Sequence, residues 1–186
     1  WGVFCFIRDV ATRQFWSTAH QPTLKRADMY EAIFSEARAE FRRRDLDYET
    51  HTEIVVSPED DIELRRTRIT NRRHSPRTIE VTSYAEVVLS APASDALHPA
   101  FSNLFVQTEI VHDRQAILCT RRPRSEGERM PWMFHLAAAH GASSEAVSYE
   151  TDRSRFIGRT RSIDSPAALT DDETLSGSEG SVLDPV

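Results

Sequence analysis

Apolar and polar residues alternate with a period of two through most of this chain, a pattern that suits strands and not long amphipathic helices. It is clearest over 78–90, where Ile79, Val81, Ala85, Val87 and Leu89 share one face and Glu80, Thr82, Tyr84 and Glu86 the other. The run is longer than a typical strand and predicts a long antiparallel strand with one buried face. Over 48–57 the same alternation puts Thr52, Ile54 and Val56 on one side. Segment 61–71 begins with Ile62 and Leu64 and continues with Thr67 and Ile69. That change of parity predicts a bulge near Arg65 and Arg66.

Turn chemistry separates these runs. Ser57-Pro58-Glu59-Asp60-Asp61 and Asn71 through Pro76 are short and rich in turn formers, so consecutive strands are predicted to form a meander. Further strands are expected at 34–41, 104–112, 115–121, 132–139 and 146–150. Short helical turns are expected at 94–102, capped by Ser94, and at 152–157, capped by Asp152. The acidic, serine-rich segment 164–181 reads as a surface loop. About nine strand signals with almost no helix predict an all-β fold, and the strand lengths favour a large antiparallel two-sheet sandwich over a barrel. At 186 residues, one domain is the expectation. The opening Trp1-Gly2-Val3-Phe4 begins mid-strand and the end enters another strand, so the domain is expected to be truncated at both ends and excised from a larger multidomain protein.

Charge is balanced, with 23 Lys+Arg against 29 Asp+Glu and a net charge of −6. The arginine clusters at 42–44, 65–66, 72–73 and 121–122 lie beside acids such as Glu40, Asp45, Asp47 and Glu63, or in turns. They read as solvated strand faces, and no nucleic-acid partner is expected. Cys5 and Cys119 sit inside apolar runs, where a thiol behaves as a small hydrophobe. Reduced cysteines point to a cytoplasmic location, and no stretch approaches the ~20 apolar residues of a spanning helix.

The chemistry-bearing constellations are sparse. Carboxylate pairs such as Glu49/Glu53 and Glu80/Glu86 alternate with apolar residues, which marks outward faces rather than an acid–base site. The seven histidines are scattered singly, so no metal site is expected, and six dispersed glycines make no phosphate loop. Sugar binding asks for flat rings flanked by planar polar groups. The segments Trp16-Ser17-Thr18-Ala19-His20-Gln21-Pro22 and Pro131-Trp132-Met133-Phe134-His135 offer them. Trp16, His20, Gln21 and Trp132 are therefore the candidate carbohydrate contacts, with core packing as the rival role for each tryptophan.

Several collinear segments carry a family resemblance. They include Phe6-Ile7-Arg8-Asp9-Val10-Ala11-Thr12 with Phe15-Trp16-Ser17 and Gln21-Pro22, then Thr52 through Arg66, Thr70-Asn71-Arg72 and Glu80 through Leu89. His98-Pro99-Ala100-Phe101-Ser102-Asn103-Leu104-Phe105-Val106, Tyr149 through Arg153, Arg155 through Arg159, Leu175-Ser176-Gly177 and Leu183-Asp184-Pro185-Val186 continue the series. Together they resemble the amino-terminal β-sandwich of the glycoside hydrolase family 94 phosphorylases, formerly glycosyltransferase family 36. The Ser83-Tyr84-Ala85-Glu86 and His98-Pro99-Ala100-Phe101 segments look most like cyclic β-1,2-glucan synthases and β-1,2-oligoglucan phosphorylases.

The resemblance implies a galactose-mutarotase-like super-sandwich that supports an (α/α)6 catalytic barrel of the same polypeptide. The catalytic acid of such enzymes lies on that barrel, so none is carried onto this chain. It also implies a β-glucan oligosaccharide as partner, pairing of protomers into a homodimer, and no cofactor, with inorganic phosphate as co-substrate of the parent enzyme. The chain itself is then expected to be non-catalytic, within the cytoplasm or the cytoplasmic part of an inner-membrane protein. An autonomous carbohydrate-binding module and a purely structural interdomain or dimerisation module are the alternatives.

Overall fold

The computed structural model describes residues 2–123, 125–141, 147–171 and 175–180. Among these residues ten strands dominate: β1 (Val3–Asp9), β2 (Phe15–Ser17), β3 (Met29–Ser35), β4 (Arg38–Asp45), β5 (Tyr48–Val56), β6 (Glu63–Asn71), β7 (Ile79–Ala85), β8 (Val106–Val111), β9 (Ala116–Arg121) and β10 (Met133–Leu136). Four short helices accompany them: α1 (Pro92–Leu97), α2 (Pro99–Asn103), α3 (Arg153–Ile157) and α4 (Ala167–Thr170). The sheets run in the orders β2-β1-β7, β3-β4-β5-β6 and β10-β9-β8. The fold is all-β and antiparallel, and the consecutive order of β3 to β6 is the expected meander.

The described residues form two compact units. The first, Phe4–Ser83, packs Ile7 and Trp16 of the β2-β1-β7 sheet against Tyr48 of the four-stranded sheet, with Ile69 and Ile79 at the margin. The Trp16 and Tyr48 rings lie 5.5 Å apart, tilted by 40°. Behind them the Tyr48 hydroxyl donates to Asp9 Oδ2 at 2.5 Å, and the Thr12 N–H donates to Asp9 Oδ1 at 2.8 Å. Burial is the largest influence on the Asp9 carboxyl and would raise it, but the donors from Tyr48 and from the Thr12 N–H and hydroxyl, with the Arg77 charge, together hold the group below the usual carboxylate range. Burial, followed by the bond to Asp9, pushes the Tyr48 hydroxyl up to about 12.

A raised tyrosine contributes stability that is full below its unfolded value of about 10 and is lost as pH rises through about 12. Tyr48→Phe is therefore expected to shrink the alkaline loss of stability across that window, read as denaturant midpoints against pH. An unchanged alkaline slope would contradict this.

The second unit gathers Val87, Val106 and Cys119, with Leu89, Ile117 and Met133 packed around them. Tyr84 lies against Phe156 of α3, ring centroids 5.0 Å apart. Asp152 caps α3, as expected, accepting from the N–H groups of Ser154 and Arg155. Glu150 ties down two neighbouring segments: it accepts from the Thr151 and Asp152 N–H groups at 3.1 and 3.0 Å and from the Ser176 hydroxyl at 2.6 Å. Both cysteines are free, and burial pushes each thiol up to about 11.

Several expectations are corrected. Strand β6 pairs with β5 without interruption from Tyr48↔Asn71 to Val56↔Glu63, so there is no bulge near Arg65 and Arg66. Arg65, Thr67 and Ile69 keep one parity as the more buried set, whereas Ile62 and Leu64 are exposed. The single strand expected at 34–41 is a hairpin, with Ser35 opposite Arg38 and Ala37 at φ 60° in the tight turn between them. The long strand at 78–90 ends at Ala85, with Tyr84 buried and Val81 half exposed.

The helical turn expected from Ser94 starts instead at Pro92, and the chain forms two helices, each with proline in its first turn. Residues 147–150 form no strand, and Ala146 lies outside the described residues. Segment 164–181 is more than a surface loop. It contains α4, whose Leu169 is buried together with Pro166, and Gly180 bridges to Thr108. Residues 172–174 and 181 of that segment lie outside the described residues.

Candidate functional site

Trp16 does not reach solvent. It is 3% exposed, in β2, inside the core of the first unit, so its role is packing and not sugar contact. Its chain neighbours His20 and Gln21 are exposed on the loop that follows. That loop is held from beneath by Arg43. The Arg43 side chain is fully buried, forms two hydrogen bonds with Asp45 at 2.6 and 2.8 Å, and donates to the carbonyls of Ala19 at 3.2 Å and Lys25 at 2.9 Å. Ser17 closes the other side, sharing a 2.8 Å hydrogen bond with Thr23 and donating to the Ala19 carbonyl. The Gln21–Pro22 peptide is cis.

The arginine clusters thus divide by parity. Arg42 and Arg44 lie on the outer face of β4 as expected, but Arg43 points inward and is a structural clamp, not part of a solvated face. The outer face is a lattice of paired charges: Arg42 with Glu31 and Glu40, Arg38 with Glu40 and Glu53, and Arg66 with Glu53. Glu40 is held below the usual carboxylate range, first by its 2.9 Å hydrogen bond with His51 and then, against burial, by Arg38 and Arg42. The carboxylates weighed as acid–base pairs are engaged as well: Glu80 pairs with Arg8, Glu86 with Arg153, and Glu49 with Arg72. Among the described residues no three metal-ligating side chains stand together.

Trp132 has the opposite environment from Trp16. It is 66% exposed immediately before β10, and Phe134 on the same parity is 56% exposed. The register places Gln107 opposite Thr120, Glu109 opposite Leu118, and Phe134 opposite Leu118, so these side chains share one face of the β10-β9-β8 sheet. That face forms an open groove of about 380 Å³ whose lining includes Gln107, Glu109, Leu118, Thr120, Trp132 and Glu179. Thr120 Oγ1 donates to the Pro131 carbonyl at 3.1 Å and so steadies the chain where Trp132 leaves it. Glu179 is anchored by the Ile110 N–H at 2.8 Å. A flat ring next to a planar amide and planar carboxylates is the equipment for a polyhydroxylated ring: the aromatic face takes its C–H side and the polar groups its hydroxyls.

Sequence reading singled out Trp132 but not its partners Gln107 and Glu109, which come from a strand some 25 positions away. The alternation of β8 with β9 was their only signal. His20 and Gln21 lie in the first unit and Trp132 in the second.

The family model described as "Glycosyl hydrolase 94, supersandwich domain" matches residues 1–186. The chain belongs to this family. Over 185 residues, 100% of its length, this supersandwich domain is 37% identical to the cyclic beta-(1,2)-glucan synthase NdvB of Rhizobium meliloti (strain 1021). It is 23% identical to the solabiose phosphorylase of Paenibacillus borealis over 89% of its length, and 26% identical to the N,N'-diacetylchitobiose phosphorylase of Vibrio furnissii over 90%. The supersandwich domain spans 6% of the first of these proteins and 20% of each of the other two. Among the described residues no helix is long and apolar enough to cross a membrane.

Proposed function

We propose that this supersandwich domain is a non-catalytic module of a larger β-glucan-processing polypeptide, a cyclic β-1,2-glucan synthase or a β-1,2-oligoglucan phosphorylase. In this reading it supports an (α/α)6 barrel of the same polypeptide on the cytoplasmic side and offers the Trp132 face to the glucan. The barrel supplies the catalytic acid and the site for inorganic phosphate. The observation that carries the sugar contact is the exposed Trp132–Phe134 face beside Gln107 and Glu109. The paired state of the carboxylates described above supports the non-catalytic part.

Trp132→Ala in the full-length polypeptide tests this. Loss of an aromatic anchor is expected to raise KM for the oligoglucan about tenfold, roughly 1.4 kcal/mol, with kcat unchanged. Unchanged kcat and KM would make the groove a scaffold surface.

A further inference from the structure

A second aromatic surface lies on the first unit, running from the His20 loop along strand β3. Strand β3 is an edge of the four-stranded sheet, and its register with β4 sets Tyr30 opposite Arg43, Ala32 opposite Phe41, and Phe34 opposite Ala39. These positions share one face. The small Ala32 faces Phe41, whose ring reaches both neighbours: 6.5 Å from Tyr30 at 24°, and 6.1 Å from Phe34 at 88°. At the other end the His20 ring is 6.2 Å from Tyr30, and the His20 N–H donates to the Tyr30 hydroxyl at 3.3 Å. The result is a continuous row, His20–Tyr30–Phe41–Phe34, with Phe34 75% and Tyr30 40% exposed.

We infer that this row is a second glucan contact, a neutral stacking surface for successive sugar rings of a β-glucan chain, with Gln21 and His20 as the planar polar groups at its end. The inference rests on the proposed carbohydrate role and extends it to a site in the other unit. Charge selects the ligand. Tyr30, Ala32, Phe34, Ala39 and Phe41 carry none, and Arg43 and Asp45 at the inner end neutralise each other below the surface. The reverse face of the same strands holds Glu31, Arg38, Glu40 and Arg42. An uncharged polyhydroxylated chain matches the β3–β4 part of the first face, where Arg43 and Asp45 are paired with each other; Arg65 of β6, two strands further along that face, is paired with Glu63. Arg43 acts here as a positioning residue, because its bonds to the Ala19 and Lys25 carbonyls fix the loop that brings His20 to Tyr30.

The test titrates the protein by calorimetry with β-1,2-linked gluco-oligosaccharides, in the native sequence and in a Trp132→Ala background. In that background, where the first groove is weakened, Tyr30→Ala/Phe34→Ala is expected to lower the remaining affinity at least fivefold. Phe34→Trp, which keeps an exposed ring, is expected to retain it. Both changes are at exposed positions, and circular dichroism with unfolding midpoints confirms the fold. Unchanged affinity on removing both rings, with Trp132→Ala still costing affinity, would overturn the second contact and leave the proposed function standing. Indifference of binding to all of these changes would overturn both. A change in oligomeric state on removing the rings, with affinity unchanged, would assign the row to a protein interface and overturn the inference.

Discussion

Arg43→Ala is expected to lower the unfolding free energy by about 3–5 kcal/mol, the cost of breaking a buried ion pair by removing one partner. The side chain is 0% exposed and its partner Asp45 only 10%, so the substitution leaves a carboxylate without its two donors in a site that water barely reaches. The Ala19 and Lys25 carbonyls lose their partner in the same step. Arg43→Lys is expected to recover only part of the loss, because an ammonium cannot match the planar two-bond geometry. The check is chemical denaturation, with a loss under about 1 kcal/mol indicating that the clamp is dispensable.

Trp16→Ala and Trp132→Ala are expected to part sharply. Trp16 is enclosed by Ile7 and Tyr48, and its truncation should cost about 3–5 kcal/mol through lost burial and the cavity left behind. Trp132 is mostly in solvent, so its truncation should change stability by no more than about 0.5 kcal/mol while weakening sugar binding. Paired unfolding curves measure the first effect, and oligosaccharide titrations of the same samples the second. Equal destabilisation by the two substitutions would contradict the division into core and platform.

The period of two located most strands, and Asp152 announced its helix because a side-chain cap is a local signal. The hairpin at 36–37 was hidden, since Ala37 and Leu46 adopt positive φ in turns that carry neither Asn-Gly nor Asp-Gly. Parity misled over 61–71 because β6 turns Arg65 to its more buried face and Leu64 to solvent, which reads as a slip when hydrophobicity alone is followed.

Burial of Arg43 was equally out of reach, and for Trp16 core packing stood beside sugar contact without a local signal to choose between them. Both have exposed counterparts of the same type nearby or elsewhere in the chain, and only tertiary packing decides between them. The row of Tyr30, Phe41 and Phe34 needed the β3–β4 register, which no local pattern specified. The family was legible because its signal is a long collinear set of segments and not a single motif.

Calorimetric titration of the 186-residue chain with β-1,2-linked gluco-oligosaccharides should give saturable binding that Trp132→Ala weakens about tenfold at unchanged fold. No binding by the folded chain, or binding indifferent to Trp132→Ala, would contradict it and leave the domain as scaffold for a glucan site built elsewhere.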